Sequence, residues 1–238
     1  ALPEDAEKPG LSLAPLLAKR LQHRCRVALG LDPEGCVSRL EAREVLEARL
    51  AASEGGAFAH VAEASGLPIM VQDAPLSGVS LSVQFLVGLA AEVPAVRFFK
   101  VEVPGTAGKL RALVAAGGDN VAGPLDGEES ITLMADLDAG ASGTMPSALL
   151  PDLIKPVVTH HLAGRRAEAA AAYARILPLI NFENRQCGLR ATKTVMMEGR
   201  VIRSDAVRHP LEALHPATRD GLLELARDVQ PLALRWGK

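Results

Sequence analysis

Cysteine, net charge and long apolar runs are all scarce in this chain of 238 residues. Its three cysteines, Cys25, Cys36 and Cys187, are too few and too scattered for a disulfide framework, and no two of them have the Cys-x-x-Cys spacing of a zinc site. A formal net charge of -2 provides no strong field for nucleic acid or acidic membranes. We therefore expect no metal, nucleic-acid or membrane partner.

No apolar run approaches the roughly 18 residues that a bilayer span requires. The first residues, Ala1-Leu2-Pro3-Glu4-Asp5, are acidic, whereas an export signal starts with a basic region. Together with the unpaired cysteines, these features predict a cytoplasmic protein.

The length and composition are typical of one large globular domain. Hydrophobic residues make up 48% of the chain and charged residues 23%, and barrels of about 250 residues commonly form single domains.

Short apolar runs alternate with stretches of helical periodicity over residues 1–150, a pattern typical of β/α units around a parallel sheet. The predicted strands are residues 27–31, 69–71, 97–101, 120–123 and 143–145. The predicted helices are residues 13–23, 41–52, 82–91, 107–116 and 129–139.

Residues 151–238 read as helices without intervening strands, packed in the same single domain. Four helices are predicted there, over residues 151–162, 166–181, 189–198 and 217–228. Pro178, Pro210, Pro216 and Pro231 are expected to punctuate this extension, because proline does not continue a helix interior.

The run Phe98-Phe99-Lys100-Val101-Glu102 is the strongest candidate for chemistry. On a strand Lys100 and Glu102 share one face, while Phe99 and Val101 take the other. Burial among apolar neighbours favours a neutral amine, which can attack a ketone, and Glu102 lies where it could move a proton. By composition alone, a surface salt bridge between the two side chains is the favoured alternative.

Ordered motifs along the chain resemble one family, and this resemblance favours the catalytic interpretation of Lys100 over the surface salt bridge. They are Leu67-Pro68-Ile69-Met70-Val71-Gln72-Asp73-Ala74-Pro75, Phe98-Phe99-Lys100-Val101-Glu102, and Gly123-Pro124-Leu125-Asp126-Gly127-Glu128-Glu129 followed by Gly140 to Met145. The chain resembles the dihydrodipicolinate synthase and N-acetylneuraminate lyase superfamily of class I aldolases and dehydratases. These motifs correspond to strands 5 to 8 of that family. Asn181-Phe182-Glu183-Asn184-Arg185-Gln186 and the Lys100 run look most like its 2-keto-3-deoxy sugar-acid dehydratases.

The resemblance implies a TIM (β/α)8 barrel in which Lys100 forms a Schiff base with a small 2-keto acid and Glu102 is the acid/base. It further implies substrate contacts from Gln72, Asp73, Gly123, Asp126 and Thr144, no cofactor or metal, and a homo-oligomer, either tetramer or dimer. The implied reaction dehydrates L-2-keto-3-deoxyarabonate to 2-oxoglutarate semialdehyde. Dehydration is preferred to aldol chemistry because Gln72 replaces the family's tyrosine.

The front of the barrel departs from this family pattern. Only 68 residues precede Ile69, whereas four β/α units of roughly 30 residues each need about 120. About two units are therefore expected to be lacking between residues 53 and 58. The loop after the second family strand, Gly30-Leu31-Asp32-Pro33-Glu34, also has none of the hydroxyl residues that bind the substrate carboxylate in the family.

Two other functions stay open at this point. One is aldol cleavage, or synthase-like chemistry, that releases or uses pyruvate. The other is a non-catalytic family member that acts as a binding or assembly subunit.

Several local motifs have an ordinary structural interpretation beside a functional one. The acidic run from Asp126 to Glu129 is either a carboxylate cluster at the site or the acidic start of a helix. His160 and His161 are expected to be a solvated pair rather than metal ligands. The glycine pairs near 105–108 and 117–118 are expected to be turns rather than phosphate cradles. Arg185 and Arg190 could bind a carboxylate or could simply lie on a helix surface.

Overall fold

The computed structural model describes residues 56–74 and 80–237. The predicted strand 27–31 and the predicted helices 13–23 and 41–52 lie outside these residues. The predicted lack of two β/α units also involves residues 53–55, which lie outside them, so it stays a prediction.

In the part of the chain that the structure describes, four strands form a parallel sheet in chain order: β1 (Ile69–Asp73), β2 (Val96–Val101), β3 (Gly123–Asp126) and β4 (Gly143–Thr144). Helices connect them: α1 (Ala57–Ser65) precedes β1, and α2 (Val83–Glu92), α3 (Thr106–Gly117) and α4 (Leu133–Asp138) follow β1, β2 and β3. Parallel neighbours need such crossovers, because a tight turn cannot reverse the chain direction twice. This is the expected repetition of β/α units.

The register of the sheet places Gln72 beside Lys100 near the carboxyl ends of β1 and β2. Gln72 pairs with Lys100, Lys100 with Leu125, and Leu125 with Gly143. Residues of one row point to the same face, because side chains alternate along each strand. Gln72 and Lys100 therefore project to one side of the sheet.

The opposite face of the sheet forms the core under the helices. Val71, Phe99 and Val101 are buried there with Leu86 of α2 and Leu110 of α3. Burial of these side chains stabilises the fold by roughly 1.5–3 kcal/mol each relative to exposure. The alternation predicted for Lys100, Glu102 and their apolar neighbours is confirmed.

The helix starts follow local signals in the sequence. The Ser82 hydroxyl accepts a hydrogen bond from the backbone N–H of Phe85 at 3.1 Å and so caps α2. Gly105 has φ of 77° immediately before α3, a left-handed conformation that glycine adopts without a steric penalty.

The C-terminal extension is helical, as expected. It consists of α5 (Pro151–Leu162), α6 (Arg166–Phe182), a π-turn (Glu183–Cys187), α7 (Leu189–Glu198), α8 (Pro216–Val229) and α9 (Leu232–Arg235). Its buried side chains, such as Ile180 and Leu222, belong to the same hydrophobic cluster as those of the sheet. None of the helices within the described residues is long and apolar enough to cross a membrane.

Three sequence predictions are wrong in detail. The strand predicted at 120–123 lies at Gly123–Asp126, because residues 118–120 form a short 3-10 turn after α3. The helix predicted from residue 129 begins at Leu133. Pro178 lies inside α6 and does not end it, since the helix continues to Phe182 before the π-turn.

Candidate active site

Lys100 and Glu102 meet at the carboxyl end of β2. The Lys100 Nζ atom lies 3.1 Å from Glu102 Oε2, and 15% of the lysine side chain is exposed against 31% of the glutamate. The lysine amine is thus sheltered but reachable. The strand end is also where barrel enzymes place their catalytic groups.

Gln72 binds the same oxygen of the Glu102 carboxylate that Lys100 contacts. Its Nε2 atom donates a hydrogen bond of 2.8 Å to Glu102 Oε2, across the β1–β2 pair. The Glu102 backbone N–H donates to the Asp73 carbonyl at 3.0 Å. Three predicted site residues, Gln72, Lys100 and Glu102, are therefore in direct contact.

Gly127 brings the next strand's loop directly over this pair. A Cβ atom at Gly127 would lie 2.9 Å from Lys100 Cγ and 2.9 Å from the Val101 carbonyl oxygen. The Gly127 N–H donates to that same oxygen at 2.9 Å. A glycine is required here, because the loop backbone packs against the lysine stem.

Glu129 enters the same site from this loop. Both Glu129 and Ser130 have positive φ values, 57° and 66°, which non-glycine residues adopt only when the surroundings hold them there. The Glu129 Oε2 atom is buried and has no hydrogen-bond partner among the described residues. Such an unpaired buried oxygen is costly and calls for a ligand group.

Burial is the main cause that raises the pKa of the Glu129 carboxyl. The positive charge of Lys100 opposes this rise, as does the backbone of Ser147. The neighbouring Glu128 also has a raised pKa, caused first by burial and then by the charge of Asp126, with Arg185 opposing. Both shifts run in the direction that burial imposes on a carboxyl.

Asp126 and Thr144 form the support of this loop. Asp126 is fully buried and accepts hydrogen bonds from Glu128 N–H at 2.8 Å, Ser130 N–H at 3.0 Å and Thr144 Oγ1 at 2.7 Å. The hydroxyls of Thr144 and Ser130 are 2.9 Å apart. The structure thus brings these two predicted site residues together, with the Asp126 oxygens engaged by the protein itself.

Asp73 belongs to a second polar cluster, behind the strand end. Its carboxylate, 2% exposed, lies 2.5 Å from Lys109 Nζ and accepts from the Leu81 N–H at 2.8 Å. The Ser80 hydroxyl donates to the same carboxylate at 3.3 Å. Asp73 therefore ties β1 to the start of α2 and to α3.

Gly123 makes room for an aromatic ring on the inner face of the sheet. A Cβ at this position would lie 2.5 Å from Phe98 Cδ1. The predicted substrate contact of Gly123 stays a prediction, and its visible role is to accept the ring of Phe98.

Sequence reasoning missed Ser130, whose N–H donates to Asp126 and whose hydroxyl lies 2.9 Å from that of Thr144. It counted Glu129 only as one member of an acidic run. Since α4 begins at Leu133, the acidic residues 128 and 129 precede the helix and lie in the site loop instead. The acidic run that starts at the last residue of β3 was the available signal.

The remaining motifs lie away from this pair. His161 Nε2 contacts Asp138 Oδ1 at 2.8 Å, and His160 Nδ1 contacts Glu168 Oε2 at 3.1 Å, so each imidazole has one carboxylate partner. Arg185 and Arg190 line a cavity of about 280 Å³ beside the π-turn, formed by residues 184–190 and Leu211. None of the predicted site residues lines this cavity.

A repeated parallel β/α unit with a sheltered lysine and a carboxylate at one strand end is typical of the class of (β/α)-barrel enzymes. Comparison assigns the family: the chain belongs to the dihydrodipicolinate synthetase family, whose model matches residues 56–230. The family predicted from the sequence motifs is confirmed.

Among particular relatives, L-2-keto-3-deoxyarabonate dehydratase of Azospirillum brasilense is 52% identical over 179 residues. That match covers 75% of this chain and 58% of the dehydratase, so the chain spans little more than half of its relative. The identity of 52% confirms the predicted sequence similarity to the sugar-acid dehydratases.

Solved structures show the same fold. Dihydrodipicolinate synthase from Rhodopseudomonas palustris has a TM-score of 0.65 and 21% identity, over 89% of this chain and 80% of that chain. A catalytic lysine mutant of Ruminococcus gnavus sialic acid aldolase has a TM-score of 0.64 and 19% identity, over 90% of this chain and 70% of that chain. These neighbours imply the predicted barrel.

Proposed function

We propose that this chain is a Schiff-base lyase that dehydrates a 2-keto-3-deoxy sugar acid, with L-2-keto-3-deoxyarabonate as the candidate substrate. The observation that carries the proposal is the contact between Lys100 and Glu102, held by Gln72 at the end of β2. The name of the Azospirillum brasilense relative supports the substrate class, and the catalytic lysine of the sialic acid aldolase supports the chemistry.

In the proposed reaction, the Lys100 amine attacks the C2 ketone, and water leaves as the imine forms. The protonated imine withdraws electrons from C3 and so makes its protons acidic. Glu102 lies beside the lysine nitrogen, within reach of the carbon next to the imine, and removes a C3 proton.

Departure of the C4 hydroxyl requires an acid, and Glu129 has the suitable environment. Its buried oxygen lacks a partner among the described residues, and burial raises its pKa above the ordinary glutamate value, which is the direction that suits a general acid. Glu129 donates that proton as the C4–O bond breaks, and water leaves. C5 then loses a proton while C3 is reprotonated, the resulting enol becomes the C5 aldehyde, and hydrolysis of the imine frees Lys100.

The residues predicted to contact the substrate have two kinds of proposed role. We propose that Gln72 and Thr144 act at the site directly or through one neighbour, and that Gly123 shapes its inner wall. Asp73 and Asp126 are proposed to act by holding the loops, since their oxygens already accept hydrogen bonds from Leu81 N–H and Ser130 N–H, respectively.

Reductive trapping tests the proposed imine. Incubation of the full chain with pyruvate and borohydride is expected to add mass to the peptide that contains Lys100. Lys100→Met should abolish this adduct, whereas Lys155→Met, which removes an exposed lysine of α5, should not. An adduct that is absent, or that forms elsewhere, would remove the proposal.

Product analysis separates the alternatives. Dehydration yields 2-oxoglutarate semialdehyde without pyruvate, whereas aldol cleavage releases pyruvate. A non-catalytic binding subunit would give neither product. Release of one pyruvate for each substrate molecule consumed would reject dehydration and support the aldolase alternative.

A further inference from the structure

A buried ion pair lies behind the strand ends, on the face of the sheet opposite Lys100. Lys109, in the first turn of α3, places its Nζ atom 2.5 Å from Asp73 Oδ2. The exposed fraction is 13% for the lysine side chain and 2% for the aspartate side chain. Neither side chain takes part in the proposed proton transfers, because Asp73 is buried on the core face of β1, while Gln72 projects to the site.

The ammonium group of Lys109 has all three of its hydrogen-bond donors engaged. It donates to Asp73 Oδ2, to the Ser80 hydroxyl at 2.7 Å and to the Leu81 carbonyl oxygen. Both oxygens of the carboxylate are engaged as well, since Oδ1 accepts from the Leu81 N–H at 2.8 Å and Oδ2 from the Ser80 hydroxyl at 3.3 Å. A lysine ammonium carries three donors, so this one is fixed in direction as well as in position.

Stability alone does not account for a charged pair at this place. The cost of taking two charges out of water can exceed what their attraction returns, and a well-packed apolar pair of similar volume is often as stable. Apolar contacts have no preferred direction, whereas hydrogen bonds do. The bonds among Asp73, Ser80, Leu81 and Lys109 therefore fix where the end of β1 lies relative to α3.

The end of β1 in turn determines where Glu102 lies. The Asp73 carbonyl oxygen accepts a hydrogen bond of 3.0 Å from the Glu102 N–H. The preceding residue, Gln72, donates to Glu102 Oε2 at 2.8 Å. Asp73 is thus held by its carboxylate from α3, and it holds the Glu102 backbone with its carbonyl.

We propose that Lys109 is a positioning residue for Glu102, acting through Asp73, and that it sets the distance over which Glu102 exchanges a proton with the carbon next to the imine. This inference rests on the proposed Schiff-base reaction. In that step the imine on Lys100 loses a C3 proton to Glu102 and becomes an enamine, and return of a proton from Glu102 to C3 restores the imine. A misplacement of about 1 Å can cost on the order of a hundredfold in rate.

Hydrogen exchange at C3 of pyruvate measures this proton transfer without dehydration. In deuterium oxide the wild-type chain should replace these hydrogens, as followed by proton NMR, and borohydride should trap the same imine on Lys100. Lys109→Met should slow the exchange by roughly tenfold or more, while trapping at saturating pyruvate keeps its full extent, because the sheet separates Lys109 from the amine. Lys155→Met, which removes an exposed lysine of α5, is the matched control and should change neither.

A double variant separates position from charge. Lys109→Met alone leaves the buried Asp73 charge without its partner and is expected to destabilise the fold. Asp73→Asn/Lys109→Met removes both charges and should unfold at a urea concentration close to that of the wild type. Its C3 exchange should stay slower by roughly tenfold or more, because the directed bonds of the ammonium are still missing. Wild-type exchange in this double variant would overturn the inference and leave the proposed lyase in place.

Amide hydrogen exchange gives a readout that needs no substrate. The Glu102 N–H, which donates to Asp73, should exchange roughly tenfold faster or more in the double variant, whereas the N–H of buried Ile176 in α6 should keep its rate. An unchanged rate at Glu102 would overturn the inference whether or not an imine forms. A faster rate at Glu102 in a chain that traps no pyruvate would retain the positioning by Lys109 and reject only the proposed function.

Discussion

Gly127 is the position at which a single methyl group should disable the site. The loop after β3 crosses the Lys100 stem and the Val101 carbonyl so closely that a Cβ would lie 2.9 Å from each. The carbonyl belongs to a buried strand and cannot move away. The tight Asp126-Gly127 turn therefore packs against the Lys100 side chain as well as against the backbone of β2.

We expect Gly127→Ala to lower kcat/KM by more than tenfold and to cost about 1–3 kcal/mol of stability, because it overpacks a filled space. Steady-state kinetics and urea unfolding measure the two effects. Gly108→Ala in α3 is the matched control, since its Cβ meets nothing within 4 Å, and alanine there should stabilise the helix by up to about 1 kcal/mol. Equal behaviour of the two variants would contradict the close approach.

Residue patterns predicted the lysine and its neighbours well, because alternation along a strand is a local property. Lys100, Glu102, Phe99 and Val101 lie on the faces expected. The contact between Lys109 and Asp73 could not be predicted in this way. The two residues are 36 positions apart in the chain, and their contact depends on how α3 packs against β1.

Helix α6 controls the strained loop that carries Glu129. The Tyr173 hydroxyl donates to the carbonyls of Ser130 at 2.8 Å and Ile131 at 2.6 Å. Burial is the main cause that raises the pKa of Tyr173 to about 12, so the phenol stays protonated and remains a donor. One hydroxyl thus joins the C-terminal extension to the active-site loop.

Tyr173→Phe is expected to cost about 1–2 kcal/mol of unfolding free energy, since two carbonyls lose their donor. The kinetic effect should be a lower kcat with a nearly constant KM, because Glu129 loses its position while the Lys100 environment is kept. Stopped-flow or steady-state assays beside urea unfolding test this. A variant that loses stability but keeps wild-type kcat would show that the loop does not depend on α6.

Element boundaries show where local signals are sufficient. The helices α5 and α7 begin and end where the sequence predicts, at Pro151–Leu162 and Leu189–Glu198. The start of α4 was predicted four residues early, because an acidic run resembles a helix N-terminus. Tertiary hydrogen bonds to Asp126 hold those residues in a loop instead.

At the scale of the whole molecule, buried acids make stability depend on pH. Asp136 of α4 is fully buried, its Oδ1 atom has no partner among the described residues, and burial is the first cause that raises its pKa to about 6. The hydroxyl of Thr132 donates to Oδ2 at 2.7 Å and opposes the rise. The unfolded chain ionises this group at lower pH than the folded chain does.

The stability that depends on protonated Asp136 is therefore present below about pH 4 and is lost as pH rises to about 6. Asp136→Asn should remove this dependence and raise the free energy of unfolding at pH 8 by about 1–2 kcal/mol. Urea unfolding across that pH range measures both effects. If the free energy of unfolding rose with pH equally in the wild type and in Asp136→Asn, the pH dependence would not come from Asp136.

Asp138 provides the control of opposite sign. Hydrogen bonds from Arg166, and then from His161, hold the pKa of this exposed carboxyl well below its usual range. Its contribution is present above the ordinary aspartate pKa and is lost as pH falls below it. Asp138→Asn should accordingly leave the window between pH 4 and 6 unchanged and reduce the loss of stability in stronger acid.

Assembly is also a property of the whole molecule. A homo-oligomer, either tetramer or dimer, is proposed from the family. Light scattering of the purified chain tests it, and a monomer at all concentrations would reject it.

The amino-acid sequence by itself determined the family, the parallel β/α order and the lysine with its carboxylate, because these depend on motifs and on periodicities within a few residues. Only the tertiary structure decided which acids surround that lysine. Glu129 comes from a strained loop after β3, distant in sequence from Lys100 on β2, and its environment depends on how these two segments pack together. Burial of a charge is a collective property of neighbours, so no local pattern records it.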